Sequence, residues 1–340
     1  MKRLVILAVL LLLAISTAAQ QATFTDVKVR FVKSDKREMD EKGADLMLDQ
    51  AARRLRVKSG DRPLDISFDD VQKVVVEVDT LGRKANFGAS FVGLAAGGFL
   101  FGNTIATSID KPFDNDHFVY LEYKQPNGSI APYGMTIAKQ SVPQALKALQ
   151  TAFGDRVQVP VFDEKSEKME KAQLVSGRTA IAGPDSIPVL VGDKQQIIPA
   201  KAHLRYINTD KQHPLPELRP DKALVVVATP ATIMKRIGPE KHYGVTILHA
   251  NYVLVAVNGP GCYTFFYLDP GEYFLDGQNY DIVGLRLKLE AGKDYYFTQT
   301  LYAKSILLRT FLTRHSKELV MYEVAGSLWS DWGLEESKKK

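Results

Sequence analysis

Short runs of alternating or β-branched apolar residues, each closed by turn residues, recur along this chain and constrain it to a β-rich fold. Val27, Val29 and Phe31 alternate with Lys28 and Arg30, the period of a half-buried strand. Leu55 and Val57 alternate with Arg54, Arg56 and Lys58, and Leu64, Ile66 and Phe68 repeat the pattern before Asp69-Asp70. Val74 to Val78 is a β-branched run. Phe118–Tyr123 and Ser129–Ile137 flank Pro126-Asn127-Gly128, and an Asn-Gly turn between two such runs signals a hairpin. One segment breaks the pattern. Val142, Ala145, Leu146, Leu149 and Phe153 recur at helical spacing, with Ser141 placed as N-cap, Pro143 in the first turn and Gly154 at the end.

Residues 161–220 read differently. Asp163 to Lys171 mixes acidic and basic residues with little apolar content, and six prolines from Pro184 to Pro220 favour extended chain. This stretch reads as a connector with one small hairpin at Val189–Val191 and Ile197-Ile198. From Ala223 strands resume. Ala223–Thr229, Tyr252–Val257, Tyr263–Leu268, Leu285–Leu289, Tyr295–Leu301 and Leu319–Val324 are separated by Asn258-Gly259-Pro260-Gly261, Asp269-Pro270-Gly271 and Ala291-Gly292-Lys293.

The first nineteen residues set the compartment. Lys2 and Arg3 precede an apolar run from Leu4 to Ile15, then Ser16-Thr17-Ala18-Ala19, the order of a secretory signal peptide cleaved near Ala19. The run is too short to span a bilayer as a helix. The expectation is export to the periplasm, the cell envelope or the exterior. Removing Lys2 and Arg3 leaves 42 basic against 39 acidic residues, a balance too weak to argue for nucleic acid. Cys262 is the only cysteine, so no internal disulfide forms and stability rests on apolar cores.

The domain reading is therefore a signal peptide at 1–19, a β domain closed by a helix at 20–160, a connector at 161–220, an antiparallel sandwich at 221–326 and a tail at 327–340. Val255-Ala256-Val257-Asn258-Gly259, the strand to Leu268, Asp269-Pro270-Gly271-Glu272-Tyr273 and the run Leu285 to Tyr296 resemble a bacterial family of prealbumin-like sandwiches related to the PEGA domain. The first block is similar in layout to bacterial PH-like and GRAM-like domains. The resemblances imply a PH-like β-barrel with a C-terminal helix, followed by a prealbumin-like antiparallel β-sandwich. They carry over no catalytic residue.

His117, His203, His213, His242, His249 and His315 have no metal-ligand spacing. Asp114-Asn115-Asp116 lacks the glycine and closing glutamate of a calcium loop. No Gly-x-Ser-x-Gly elbow occurs, and the Ser-x-x-Lys at Ser337–Lys340 lies in the tail. No catalytic, cofactor or metal residue is assigned. Ala85 to Ile109 carries no charge, and Phe91, Leu94, Phe99, Leu100 and Phe101 mark it as a contact for a membrane or partner, or as a crossover folded on its own domain. The aromatics from Tyr263 to Tyr302 place half their number on an outward strand face, suited to a glycan or a protein strand. Trp329 and Trp332 read as anchoring aromatics beyond the last strand. The function expected is a non-enzymatic interaction or structural module of the envelope, its partner an envelope protein, glycan or membrane surface. The alternatives are an envelope hydrolase with a dispersed site and a protein that associates with membranes through 91–105.

Overall fold

The computed structural model describes residues 21–33, 38–77, 117–160, 162, 168–171, 186–199, 204–209, 211–230, 246–278, 283–304 and 307–334. Residues 1–19, read from sequence as a leader, and the charge-free stretch with Phe91, Leu94, Phe99, Leu100 and Phe101 lie outside these residues. The fold is mainly β. It divides into two compact units, the first holding Asp40–Pro160 and the strand up to Phe31, the second holding Val32–Met39 and everything from Val161 onward.

Unit 1 is built on strands β1 (Gln21–Lys33), β2 (Glu38–Asp49), β3 (Arg54–Lys58), β4 (Leu64–Ser67), β5 (Val71–Glu77), β6 (His117–Lys124), β7 (Ile130–Ile137) and β8 (Val157–Gln158). They form one open sheet, sheet I, in the order β4-β3-β2-β1-β7-β6-β5-β8. The Asn-Gly turn closes the β6–β7 hairpin, with Lys124 opposite Ile130 and Gly128 at φ 86°. Asn127 Oδ1 accepts from the Ser129 N–H and hydroxyl, which fixes the turn. Helix α1 (Val142–Phe153) presents Val142, Ala145, Leu149 and Phe153 to a core with Leu46, Leu48, Leu55, Phe68, Leu121 and Met135. Gly154 ends the helix at φ 55°, its N–H bonded to Gln150 O. Arg156 then ties the helix end to the β4–β5 corner by donating to the Phe68 and Val71 carbonyls at 2.8 and 2.5 Å.

Ser141 is not the side-chain cap that the sequence suggested. A 3-10 turn over Lys139–Ser141 leads into the helix, so Ser141 already has helical dihedrals (φ −91°, ψ −11°). A residue in that conformation cannot turn its hydroxyl onto the helix N–H groups, and Ser141 Oγ donates instead to Asp26 Oδ2 at 3.1 Å.

Unit 2 is built on strands β9 (Lys168–Lys171), β10 (Ser186–Val191), β11 (Lys194–Pro199), β12 (Leu204–Thr209), β13 (Ala223–Thr229), β14 (Thr246–Ala250), β15 (Val253–Asn258), β16 (Cys262–Leu268), β17 (Gly271–Gln278), β18 (Val283–Leu289), β19 (Asp294–Lys304), β20 (Leu307–His315) and β21 (Leu328–Leu334). Two open sheets result. Sheet II runs β11-β10-β15-β14-β17-β18-β9, and sheet III runs β12-β21-β16-β13-β19-β20. Both are mixed: β10–β15, β13–β19 and β16–β21 are parallel pairs. The sheets share a core in which Leu248, Ala256, Leu275, Leu285 and Leu287 of sheet II meet Val225, Val227, Phe266, Tyr295 and Phe297 of sheet III.

Three stretches differ from the sequence reading. The region read as a connector forms its expected hairpin as β10–β11, but it also contributes β9 and β12, and all four strands join the sheets of unit 2. Leu319–Val324, read as a strand, lies in helix α2 (Lys317–Ala325). Ser316 caps this helix by accepting from the Leu319 N–H at 3.3 Å, and Lys317, Glu318, Leu319, Met321, Glu323 and Ala325 are strong helix formers. The cap and these propensities outweigh the apolar run. Finally, Trp329 and Trp332 do not follow the last strand but lie within it, since β21 pairs with β12 and β16.

Candidate interaction surface

The outer face of sheet III gathers four of the aromatic side chains singled out from sequence, Tyr263, Phe265, Tyr267 and Trp329. Alternation along β16 sends Phe266 and Leu268 into the core and Tyr263, Phe265 and Tyr267 outward. Register places Trp329 of β21 beside Tyr263 and opposite Thr209 of β12, with Ile207 on the same face one pair further on. Trp329 packs on Tyr263 and Phe265 with ring centroids 5.2 and 5.0 Å apart. Trp332 points the other way, against the cores that contain Val257 and Leu254.

The chain covers part of this row itself. Residues Lys211–Arg219 form no regular element and run as an extended strap. The Tyr263 hydroxyl donates to Pro214 O at 2.8 Å, and the Tyr267 hydroxyl donates to Glu217 O at 2.6 Å. His213 stands edge-on to Tyr263 at 4.9 Å. Arg219 lies 3.8 Å above the Tyr267 ring and pairs with Asp193 at 3.2 Å. Proline suits such a strap, because it cannot donate to a ladder and is pre-set for extended chain. Among the exposed residues on and beside the strap, Leu215 (60% exposed), Leu218 (52%) and Ile207 (49%) are apolar, interspersed with exposed Lys211, Gln212, Glu217 and Arg219.

Two polar clusters lie inside the unit. His249 and Asp276 face each other across β14 and β17, 3.2 Å apart, with side chains 2% and 0% exposed. Among the described residues Asp276 Oδ2 has no hydrogen-bond partner. Among the described residues no hydroxyl or thiol hydrogen-bonds to either group, so the pair lacks the third member of a nucleophilic constellation. The second cluster is a directional chain: Asn258 Nδ2 donates to Thr229 Oγ1 at 3.0 Å, and the Thr229 hydroxyl donates to Gln299 Oε1 at 3.1 Å. Asn258 also accepts from the Gly259 N–H, which shapes the β15–β16 crossing between sheets. Their contact was not foreseen, because Thr229 and Asn258 end apolar strands, Gln299 lies between Thr298 and Thr300, and no spacing within a strand marks a pairing between strands.

Cys262 is buried, its thiol donating to Pro260 O at 3.6 Å and accepting from the Tyr206 hydroxyl at 3.7 Å. Burial pushes the thiol up to about 11, which leaves little thiolate at neutral pH. Among the described residues no group of three or more His, Cys, Asp or Glu side chains could hold a metal ion, and no helix is long and apolar enough to cross a membrane. No protein-family model and no curated protein matches this chain.

Proposed function

We propose that this protein is an exported, non-enzymatic interaction module of the bacterial cell envelope, and that unit 2 makes its contact through the outer face of sheet III. The leader order Lys2-Arg3, apolar run, Ala18-Ala19 supports export. The observation that carries the contact reading is the group Ile207, Leu215 and Leu218, exposed on a strapped aromatic face. Leaving large apolar side chains in water on one face is unfavourable, and burial against a partner recovers about 25 cal/mol per Å². The partner is an envelope protein, a glycan or a membrane surface.

Unit 1 reads as a PH-like domain and unit 2 as a prealbumin-like, PEGA-like sandwich. The order β4-β3-β2-β1-β7-β6-β5 followed by one amphipathic helix supports the first. The stacking of β15-β14-β17-β18 on β16-β13-β19-β20 through one core supports the second. An envelope hydrolase is the second reading, favoured by the His249–Asp276 contact; it requires that pair to open and to acquire a nucleophile.

The test compares the mature protein with the Leu215→Asp/Leu218→Asp variant for retention on detergent-solubilised envelope proteins, on peptidoglycan and on liposomes. Retention of the wild type on one of these, lost in the variant, is expected. Equal retention of both proteins, or of neither, contradicts the reading.

A further inference from the structure

Among the described residues sheet II ends in β9 on one side and β11 on the other, and β11 follows β10 through the two-residue turn Gly192-Asp193, with Gly192 at φ 61°. The register sets Val191 opposite Lys194, Val189 opposite Gln196 and Ile187 opposite Ile198. In a two-residue hairpin the pair flanking the turn exchanges both N–H···O bonds, and bonded pairs then alternate along the ladder. These three are therefore the bonded pairs. Pro188, which has no N–H to give to β11, falls at a non-bonded position, as this phase requires. The N–H and C=O groups of Gln195 and Ile197 consequently point away from β10, where no further strand of the sheet lies among the described residues.

This edge is chemically unguarded at its centre. Natural edges are blunted by charge, proline or a bulge. On β11 Lys194 and Pro199 stand only at the ends, and Gln195-Gln196-Ile197-Ile198 between them carries no charge and no glycine. Ile197 is 58% exposed. The edge therefore offers main-chain donors and acceptors beside an apolar side chain, which is the chemistry that accepts another strand.

The geometry points to β11 of a second copy of this chain as that strand, paired antiparallel about a two-fold axis. With Gln196 facing Gln196 at the axis, Gln195 of each copy lies opposite Ile197 of the other, and each such pair exchanges both N–H···O bonds. The arrangement is isologous and closes on itself. Lys194 of one copy meets Ile198 of the other, so the lysines stand at opposite ends with no like-charge pair. The strand is thus self-complementary in hydrogen bonding and in charge. This contact uses the edge of sheet II, which the strap touches through Arg219–Asp193 at the β10–β11 turn, and it does not depend on the envelope reading.

Sedimentation velocity of the mature chain over a wide concentration range tests the pairing. Ile197→Pro removes one outward N–H without touching a bonded pair of the β10–β11 hairpin, and Ile197→Lys puts a charge on the pairing strand. A wild-type dimer is expected, with both variants dissociating at least about tenfold more readily and keeping the wild-type far-ultraviolet spectrum. Gln196→Cys supplies a second readout. A non-bonded antiparallel pair has its Cα atoms about 4.5 Å apart, within disulfide reach, so oxidation should link two Gln196→Cys chains and leave the wild type unlinked. A wild type that is monomeric throughout, with no linkage of the cysteine variant, overturns the proposal. So does a dimer that survives both Ile197 variants.

Discussion

Units 1 and 2 are both sheet structures, but they treat polar groups in opposite ways. Among the described residues, unit 1 buries Glu77, His117 and Thr136, and the rest of its core is apolar side chains from every strand and one helix face. Unit 2 buries Thr229, Thr246, His249, Asn258, Thr264, Asp276, Thr298, Gln299, Thr313, His315 and Ser330 within its strands. A buried polar group costs free energy unless it is hydrogen-bonded, and its partners then fix the local geometry. Unit 1 is held chiefly by volume packing. Unit 2 gives up part of that packing for polar contacts that set where its sheets cross and where its strap lies.

The sharpest way to break this contrast is at the buried pair. His249→Leu leaves Asp276 with no partner for either oxygen and should cost about 3–5 kcal/mol in denaturant unfolding. The double replacement His249→Leu/Asp276→Leu should recover much of that loss, because no uncompensated polar group remains. If the double variant is as unstable as the single, the pair is not the source. In unit 1 the comparable loss comes from volume alone: Leu121→Ala, at a fully buried position, should cost about 2–5 kcal/mol in the same measurement.

Asn258→Ala removes a donor to Thr229 Oγ1 and an acceptor for Gly259 N–H. It should cost about 1–3 kcal/mol by the penalty for unmade buried hydrogen bonds. Tyr263→Phe deletes the hydroxyl bond to Pro214 O, a change of about 1 kcal/mol. Its diagnostic readout is faster tryptic cleavage after Lys211 as the strap loosens; an unchanged cleavage rate would show that the strap is held by other contacts.

The smallest effect at neutral pH belongs to Cys262. Burial raises the folded thiol from 9.0 to about 11. The neutral thiol is favoured in the fold, so this contribution is complete below pH 9 and is lost as pH climbs through 11. Iodoacetamide should fail to alkylate the native protein at pH 8 and should label it rapidly once unfolded.

Local chemistry made part of this fold legible and left part of it hidden. The β6–β7 hairpin was readable because Asn127-Gly128 specifies its own turn, and the α1 face because five apolar residues repeat at helical spacing. Leu319–Val324 misled because its apolar run has no period, and the cap at Ser316 decides its state. The strap was readable as extended chain from its prolines, but not as the cover of Tyr263 and Tyr267. That contact joins residues about fifty apart in sequence, and only the folded sheet brings them together. The outward aromatic half of β16 followed from strand alternation. The His249–Asp276 and Asn258–Thr229–Gln299 contacts did not, since pairing across strands carries no mark within either strand.

Hydrogen–deuterium exchange of the mature protein, with and without a solubilised envelope fraction that retains it, tests most directly whether the strapped face of unit 2 is the contact surface. The predicted result is slowed exchange confined to residues 204–209, 211–219 and 262–268. Slowed exchange confined to 38–77 and 117–160 would contradict the assignment and place the contact in unit 1.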